Sequence, residues 1–396
     1  MKRLPMLLLT IIFAWQANGQ SLLDAYKTGS VSLVPVQGYA AGTSWSKIFP
    51  DYNTDAYHNP IGMYKSIAIA PDGSVFVGNY STYNIHKFDS NGKLVLTFGK
   101  KGAAEGDFQE RPTLGGVVGG KYVFTHEHNG KIKLFTLDGK YAKTVTLDYM
   151  PIKTIALTSN KIALIGHVPM NGNVRYVITI IDPETGEQKI IRKYDNLWVN
   201  SGLTIITKDK GMFSISPAFS RNDIIIRATP DGNLLLGVNM KNNLEIISPT
   251  GELVKSFKLD FTPPLYPKEV KDEFTINMEK RVSEGKFTKE DIAPIYKEDF
   301  FPKNTPFFYN LLIDSDGNLL VFRFVDEDVE HKFRVYSFDS NGKNIAEATL
   351  EIPGFKVSLN NRFEELVFDK ENVIGFLKPE GENTTGQLVK FEVKGK

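Results

Sequence analysis

Short apolar runs, each closed off by polar turn formers, recur along the whole chain. Val75-Phe76-Val77 follows Pro71-Asp72-Gly73, and Ile85 to Phe88 precedes Asp89-Ser90-Asn91-Gly92-Lys93. Runs of a few residues rich in Val, Ile, Leu and Phe, bounded by Gly, Pro, Asn and Asp, predict β-strands joined by tight turns. The turn at residues 88–93, FDSNGK, returns letter for letter at residues 338–343. Related turns stand at residues 135–140, 181–187, 247–252 and 391–396. All share an apolar residue, a few turn formers, a glycine and then Lys or Glu. A second turn precedes each copy, at Gly73, Gly119-Gly120, Ser159-Asn160, Gly232, Gly317 and residues 370–372.

One repeat therefore reads as strand, turn, strand, loop, strand, turn, strand. The turn glycines Gly92, Gly139, Gly186, Gly251, Gly342 and Gly395 follow one another at intervals of 47, 47, 65, 91 and 53 residues. A four-stranded unit with a period in the forties predicts a propeller blade. Six turns predict an all-β fold, a six-bladed β-propeller occupying residues 20–396, and no 3.6-residue period supports a helical solenoid. The sixth copy stops at its second turn, so its outer strand has to come from elsewhere. The apolar segment 30–36 is the expected donor, closing the last blade against residues 388–393. Pro35 would be tolerated there because an outermost strand has one unpaired side.

The two long intervals mark insertions. Residues 199–216 read as an extra hairpin, with Leu203–Thr207 and residues 212–216 around a turn; a degenerate seventh blade is the alternative. Residues 261–305, between the expected blades 4 and 5, read as a helical insertion. Val270, Phe274, Met278 and Val282 recur every four residues, Pro267 suits a helix start and Gly285 a helix stop. Thr288 with Asp291 resembles a capping box for a second, shorter helix. In an antiparallel meander both insertions fall at the end of the sheets where second strands finish.

Composition narrows the setting. Lys2 and Arg3, an apolar run from Leu4 to Trp15 and Ala17-Asn18-Gly19 predict a signal peptide over residues 1–19. The chain has no cysteine, which excludes disulfides, thiolate metal sites and a lipid-anchored cysteine. The expectation is a periplasmic or secreted protein without a membrane span. The chain carries 47 basic and 46 acidic residues. Without Lys2 and Arg3 the balance is nearly neutral, which speaks against nucleic acid as a partner.

The repeats, in particular Pro71-Asp72-Gly73, Val75 to Gly78 and Ile85-His86-Lys87-Phe88-Asp89, resemble the NHL-repeat and TolB-like group of six-bladed propellers, and most nearly its exported bacterial members. NHL repeats usually place an aspartate just after the second strand. Here that position holds Asn79, His126, His167, Val238 and Arg323, so the enzyme chemistry of that group does not transfer.

Candidate site residues gather at the insertion-bearing end. Asn79, His126, His167 and Arg323 finish second strands; Lys65, Arg111, Lys153, Arg221 and Arg362 lie near the starts of first strands; Tyr309 adds an aromatic at the rim. Together they would make a basic channel mouth that attracts anions. His126, His128 and His167 invite comparison with a three-histidine metal centre, but their spacing matches no local zinc motif. Asp314 to Asn318 fails as a calcium loop, since Leu319 stands where an EF-hand needs glycine. The expected function is a scaffold for an anionic small molecule, glycan or peptide, or for a protein partner, without a cofactor. A metal-assisted hydrolase or lyase is the alternative.

Overall fold

The computed structural model of the protein describes residues 22–49, 67–170, 173–195, 203–207, 211–215, 217, 223–314, 316–324, 332–339, 341–356, 366–369, 372–381 and 385–396. Helix α1 (Leu22–Tyr26) leads into strand β1 (Ser30–Pro35), followed by α2 (Trp45–Ile48). Strands β2–β5 (Ile67–Ile69, Val75–Asn79, Asn84–Phe88, Leu94–Phe98) form one antiparallel sheet in chain order. So do β6–β9 (Thr113–Val118, Tyr122–Glu127, Lys131–Thr136, Tyr141–Thr146) and β10–β13 (Met150–Ala156, Ile162–Met170, Asn173–Ile181, Gln188–Asp195). A separate hairpin, β14–β15 (Leu203–Thr207, Gly211–Ile215), precedes the sheet β16–β19 (Ile224–Ala228, Leu234–Val238, Asn243–Ile247, Leu253–Lys258). Helices α3 (Lys268–Ser283) and α4 (Lys289–Ile292) then lead to β20–β23 (Asn310–Ile313, Leu319–Phe324, Lys332–Phe338, Asn344–Glu351). Strands β24–β27 (Phe355–Lys356, Leu366–Asp369, Asn372–Pro379, Gln387–Gly395) complete the order.

Burial explains this layering. Strands β3, β7 and β17 are buried at every residue; β3 and β17 are nearly unbroken apolar runs, while β7 ends on the buried polar residues Thr125, His126 and Glu127. The outer strand β5 alternates half-buried and exposed positions, as a strand with one wet face must. Apolar clusters join each sheet to the next. Phe76 and Phe108 pack with Val123 and Phe135 between the first two sheets, and Phe124 and Leu134 pack with Ile162 and Leu164 between the next two. Ile165 meets Ile226, and Ile225 meets Leu311 and Val321. Phe322 and Phe333 pack with Leu33, Val373 and Phe391. Finally Ile374, Phe376 and Leu388 pack against Val75, Val77 and Phe88 of the first sheet. The first strands of successive sheets are neighbours, β2 with β6, β6 with β10, β10 with β16 and β16 with β20, and β25 returns to β2. This is the all-β architecture of a β-propeller.

The repeated turn has a steric basis at both of its copies. Gly92 and Gly342 sit at φ +80° and +76°, where a side chain would be strained. A Cβ on Gly92 would lie 2.8 Å from the Ala40 backbone nitrogen, and one on Gly342 would lie 2.6 Å from the Phe257 ring. Asp89 and Asp339 complete the two turns in the same way. Each carboxylate accepts backbone N–H bonds from the second and fourth residues beyond it, at 2.8–2.9 Å.

The amino-terminal strand does pair with the carboxy-terminal one, antiparallel from Val31 opposite Gly395 to Pro35 opposite Phe391. Two expectations are corrected here. Residues 391–395 are strand, not a sixth glycine turn, because the fourth strand arrives from the other end of the sequence and no hairpin is needed. Gly395 faces Thr28 instead, where an added Cβ would approach its Cγ2 to 2.7 Å. Nor is β1 an edge strand throughout: Ser30, Val31 and Ser32 also pair in parallel with Thr349, Leu350 and Glu351 of β23. The parallel pairing stops before Pro35, which needs no N–H partner on that side.

The helical region follows its sequence signals. Pro267 is the N-cap of α3, Gly285 takes φ +69° beyond its end, and Thr288 and Asp291 form the capping box reciprocally. Met278, Ile292, Ile295 and Phe300 form a small core, and Ile215 from the β14–β15 hairpin packs against it. The two long connections are thus joined to each other. The expected signal peptide, residues 1–19, lies outside the described residues.

Candidate functional site

Strands alternate direction, so the ends of second strands and the connections between sheets share one end of the molecule. Contacts agree: the Phe307 N–H donates to the Asn239 carbonyl at 2.8 Å, and the Asp223 N–H donates to the Asn239 side-chain oxygen at 2.9 Å. The tight glycine turns occupy the opposite end.

Of the ten candidate residues, Lys65, Arg221 and Arg362 lie outside the described residues. The other seven separate by environment. Asn79 is buried and caps its own loop, accepting the Ser81 and Thr82 N–H groups at 3.2 and 3.4 Å. Arg323 is 9% exposed, donates to the Thr262 carbonyl at 3.3 Å and lies 4.5 Å over the Phe261 ring. It fastens the start of the helical connection rather than facing solvent. Tyr309 is half-buried, and its N–H bonds the Phe322 carbonyl at 2.9 Å. His167 is half-buried and stacks on its cross-strand partner Tyr176 at 5.7 Å; burial lowers its pKa.

Arg111, His126 and Lys153 lie along the seam between two neighbouring sheets. Thr113 pairs with His126, two residues after Arg111. His126 Nδ1 lies 2.9 Å from Thr154 Oγ1, next to Lys153. Arg111 is exposed, with its guanidinium 5.3 Å from the Tyr80 ring centre, so this seam reaches the first sheet as well. His126 and Lys153 are buried beneath, at 1% and 3% exposure. The chemistry this offers is an exposed guanidinium laid on an aromatic plane.

Sequence reasoning passed over Glu127 and Lys133, which position this rim. Glu127 Oε2 accepts the N–H groups of Gln109 and Glu110, each at 2.7 Å. Its Oε1 lies 3.2 Å from Lys133 Nζ, with both side chains buried. Lys133 also donates to the Asp107 carbonyl and lies 5.3 Å over the Phe108 ring. The pair clamps the connection that delivers Arg111. The available signal was a carboxylate in a strand otherwise fully buried, which demands a partner.

His126 has a pKa lowered to about 3, first by burial and then by repulsion from His128, with a hydrogen bond to the Ile152 backbone acting the other way. The fold therefore favours neutral imidazole, while the unfolded chain takes up a proton below about pH 6.5. The stabilisation is complete above that pH and is lost as pH falls toward 3, by up to about 1.4 kcal/mol per pH unit. Urea midpoints measured from pH 7 to 4 are expected to fall, and His126→Gln should flatten the slope. Equal acid slopes in both proteins would contradict this assignment. His126 and His128 have ring centres 6.3 Å apart, the first buried and the second exposed. Among the described residues no group of three or more His, Asp or Glu side chains is arranged to hold a metal ion. No described helix is long and apolar enough to cross a membrane.

No protein-family model matches the chain, and no curated protein matches it. Among solved structures it is similar to a member of the DUF4221 family from Bacteroides vulgatus, with TM-score 0.50 and 11% identity, covering 93% of this chain and 100% of that one. It is also similar to virginiamycin B lyase from Staphylococcus aureus, with TM-score 0.40 and 15% identity over 85% of this chain and 96% of the other. A gluconolactonase from Xanthomonas campestris gives 0.43 and 11% over 83% and 85%. The likeness is one of architecture: it supports a β-propeller and carries no chemistry with it.

Proposed function

We propose that the chain is an exported six-bladed propeller, its last blade completed by β1, that binds an anionic glycan or peptide on the face bearing both insertions. The blade count is supported by the cyclic succession of inter-sheet clusters, from Phe76 and Phe108 round to Phe376 and Phe88. On this reading β14–β15 is an insertion between blades 3 and 4 rather than a seventh blade, and α3–α4 lies between blades 4 and 5. Export is supported by the basic and apolar character of residues 2–15.

The observation that carries the binding reading is Arg111. It is exposed, laid on Tyr80 and held by the clamp beneath it, at the end where the two insertions join. A guanidinium held in place suits a planar carboxylate. Titration with an oligogalacturonate is the test, with an acidic peptide as second probe. Arg111→Glu is expected to weaken binding roughly ten-fold or more, and binding should weaken with salt. An affinity untouched by Arg111→Glu would remove the anion from this reading. The hydrolase or lyase alternative has no specific observation in its favour among the described residues.

A further inference from the structure

At the opposite end, among the glycine turns, an apolar groove opens between the sheet β16–β19 and the strands β20–β23. Its volume is about 400 Å³, with Leu235, Phe257 and Leu319 in its walls. Asp231, Asp316 and Asp339 line it from three different turns, and Lys255 is the basic residue in the lining, 3.3 Å from Asn341 Oδ1. Asp231 is held below its usual pKa, first by the Thr229 hydroxyl, so its carboxylate stays charged. The groove runs along β19, which ends its sheet and, among the described residues, pairs with β18 alone. Val254, on that strand and in the groove wall, is 56% exposed, and Leu253 beside it is 54% exposed.

We propose that this groove and the outer side of β19 form a docking site for an extended peptide segment that turns one face toward it, a large apolar residue flanked two positions away on each side by Lys or Arg. Each part of the arrangement answers one part of such a segment. The outer edge of β19 offers the backbone hydrogen bonds of strand addition. The walls take an apolar side chain, whose burial removes Val254 from water. The three carboxylates face the cations on either side of it. The period of two along a strand turns every second side chain of the segment toward the groove, so the apolar residue and its flanking cations stand at i and i±2. The site is separate from the Arg111 rim and selects the opposite charge.

A fluorescein-labelled Lys-Thr-Phe-Thr-Lys-Thr-Val peptide, followed by polarisation at about 50 and about 500 mM salt, tests this. The expected result is saturable binding that weakens at high salt. Asp316→Lys and Val254→Arg, both at exposed positions, should each weaken it at least ten-fold with unchanged melting temperature. Arg111→Glu should leave it unchanged. Equal binding of Glu-Thr-Phe-Thr-Glu-Thr-Val, indifference to both groove variants or no binding at all would overturn the proposal. Self-association of the protein abolished by Val254→Arg, without peptide binding, would overturn it in favour of a second copy of this chain.

Discussion

Replacing Leu33 with aspartate is expected to cost more than about 4 kcal/mol, a large share of the 5–15 kcal/mol that holds a typical domain folded. Leu33 is 1% exposed and packs with Val31, Phe322, Phe333, Val373 and Phe391. A carboxylate there would lose its water without gaining a partner. Because β1 lies between β23 and β27, the damage should reach both groups of strands rather than fray one end. The measurement is guanidinium unfolding followed by tryptophan fluorescence and far-ultraviolet dichroism together. Pro35→Ala is the control. That side chain is exposed and past the parallel pairing, so a change within about 0.5 kcal/mol is expected. Comparable midpoints for the two variants would mean that β1 contributes little to the fold.

Lys133→Met is expected to destabilise by about 3–5 kcal/mol. It keeps the volume but leaves the Glu127 carboxylate buried with two backbone donors and no countercharge. Removing both charges, as Lys133→Met with Glu127→Gln, should recover most of the loss, because the cost lies in the uncompensated charge more than in the missing attraction. Binding of an anion at Arg111 should weaken in the single variant, since the connection carrying it is released. A single variant as stable as the parent would show that the ion pair does not set the path of this connection.

The glycine turns were legible because their cause is local. Positive φ at Gly92 and Gly342, and the Asp side chains that cap the same turns, depend on neighbours within five residues. The helix signals at Pro267, Gly285 and Thr288 are local in the same sense. The parallel pairing of β1 with β23 left no mark, since a strand paired on one side and a strand paired on both can share one hydrophobic pattern. The contact of Ile215 with the Met278 core was invisible for a similar reason: it joins two connections through shape alone. At the candidate site, residue type located the rim but not exposure. Arg111 and Lys153 read alike as letters; pairing with the neighbouring strand buries one, and the loop before β6 leaves the other in water.

The pairing of Val31 with Gly395 also bears on the order of folding. Contacts this remote along the chain form late, because most other contacts can form without them and folding slows as partners lie farther apart. A nascent chain must therefore carry Val31 and Leu33 without their β27 partners until residues 391–395 have emerged. Moving β1 to follow β27 directly, as in a circular permutant, would turn the slowest closure into a neighbouring hairpin.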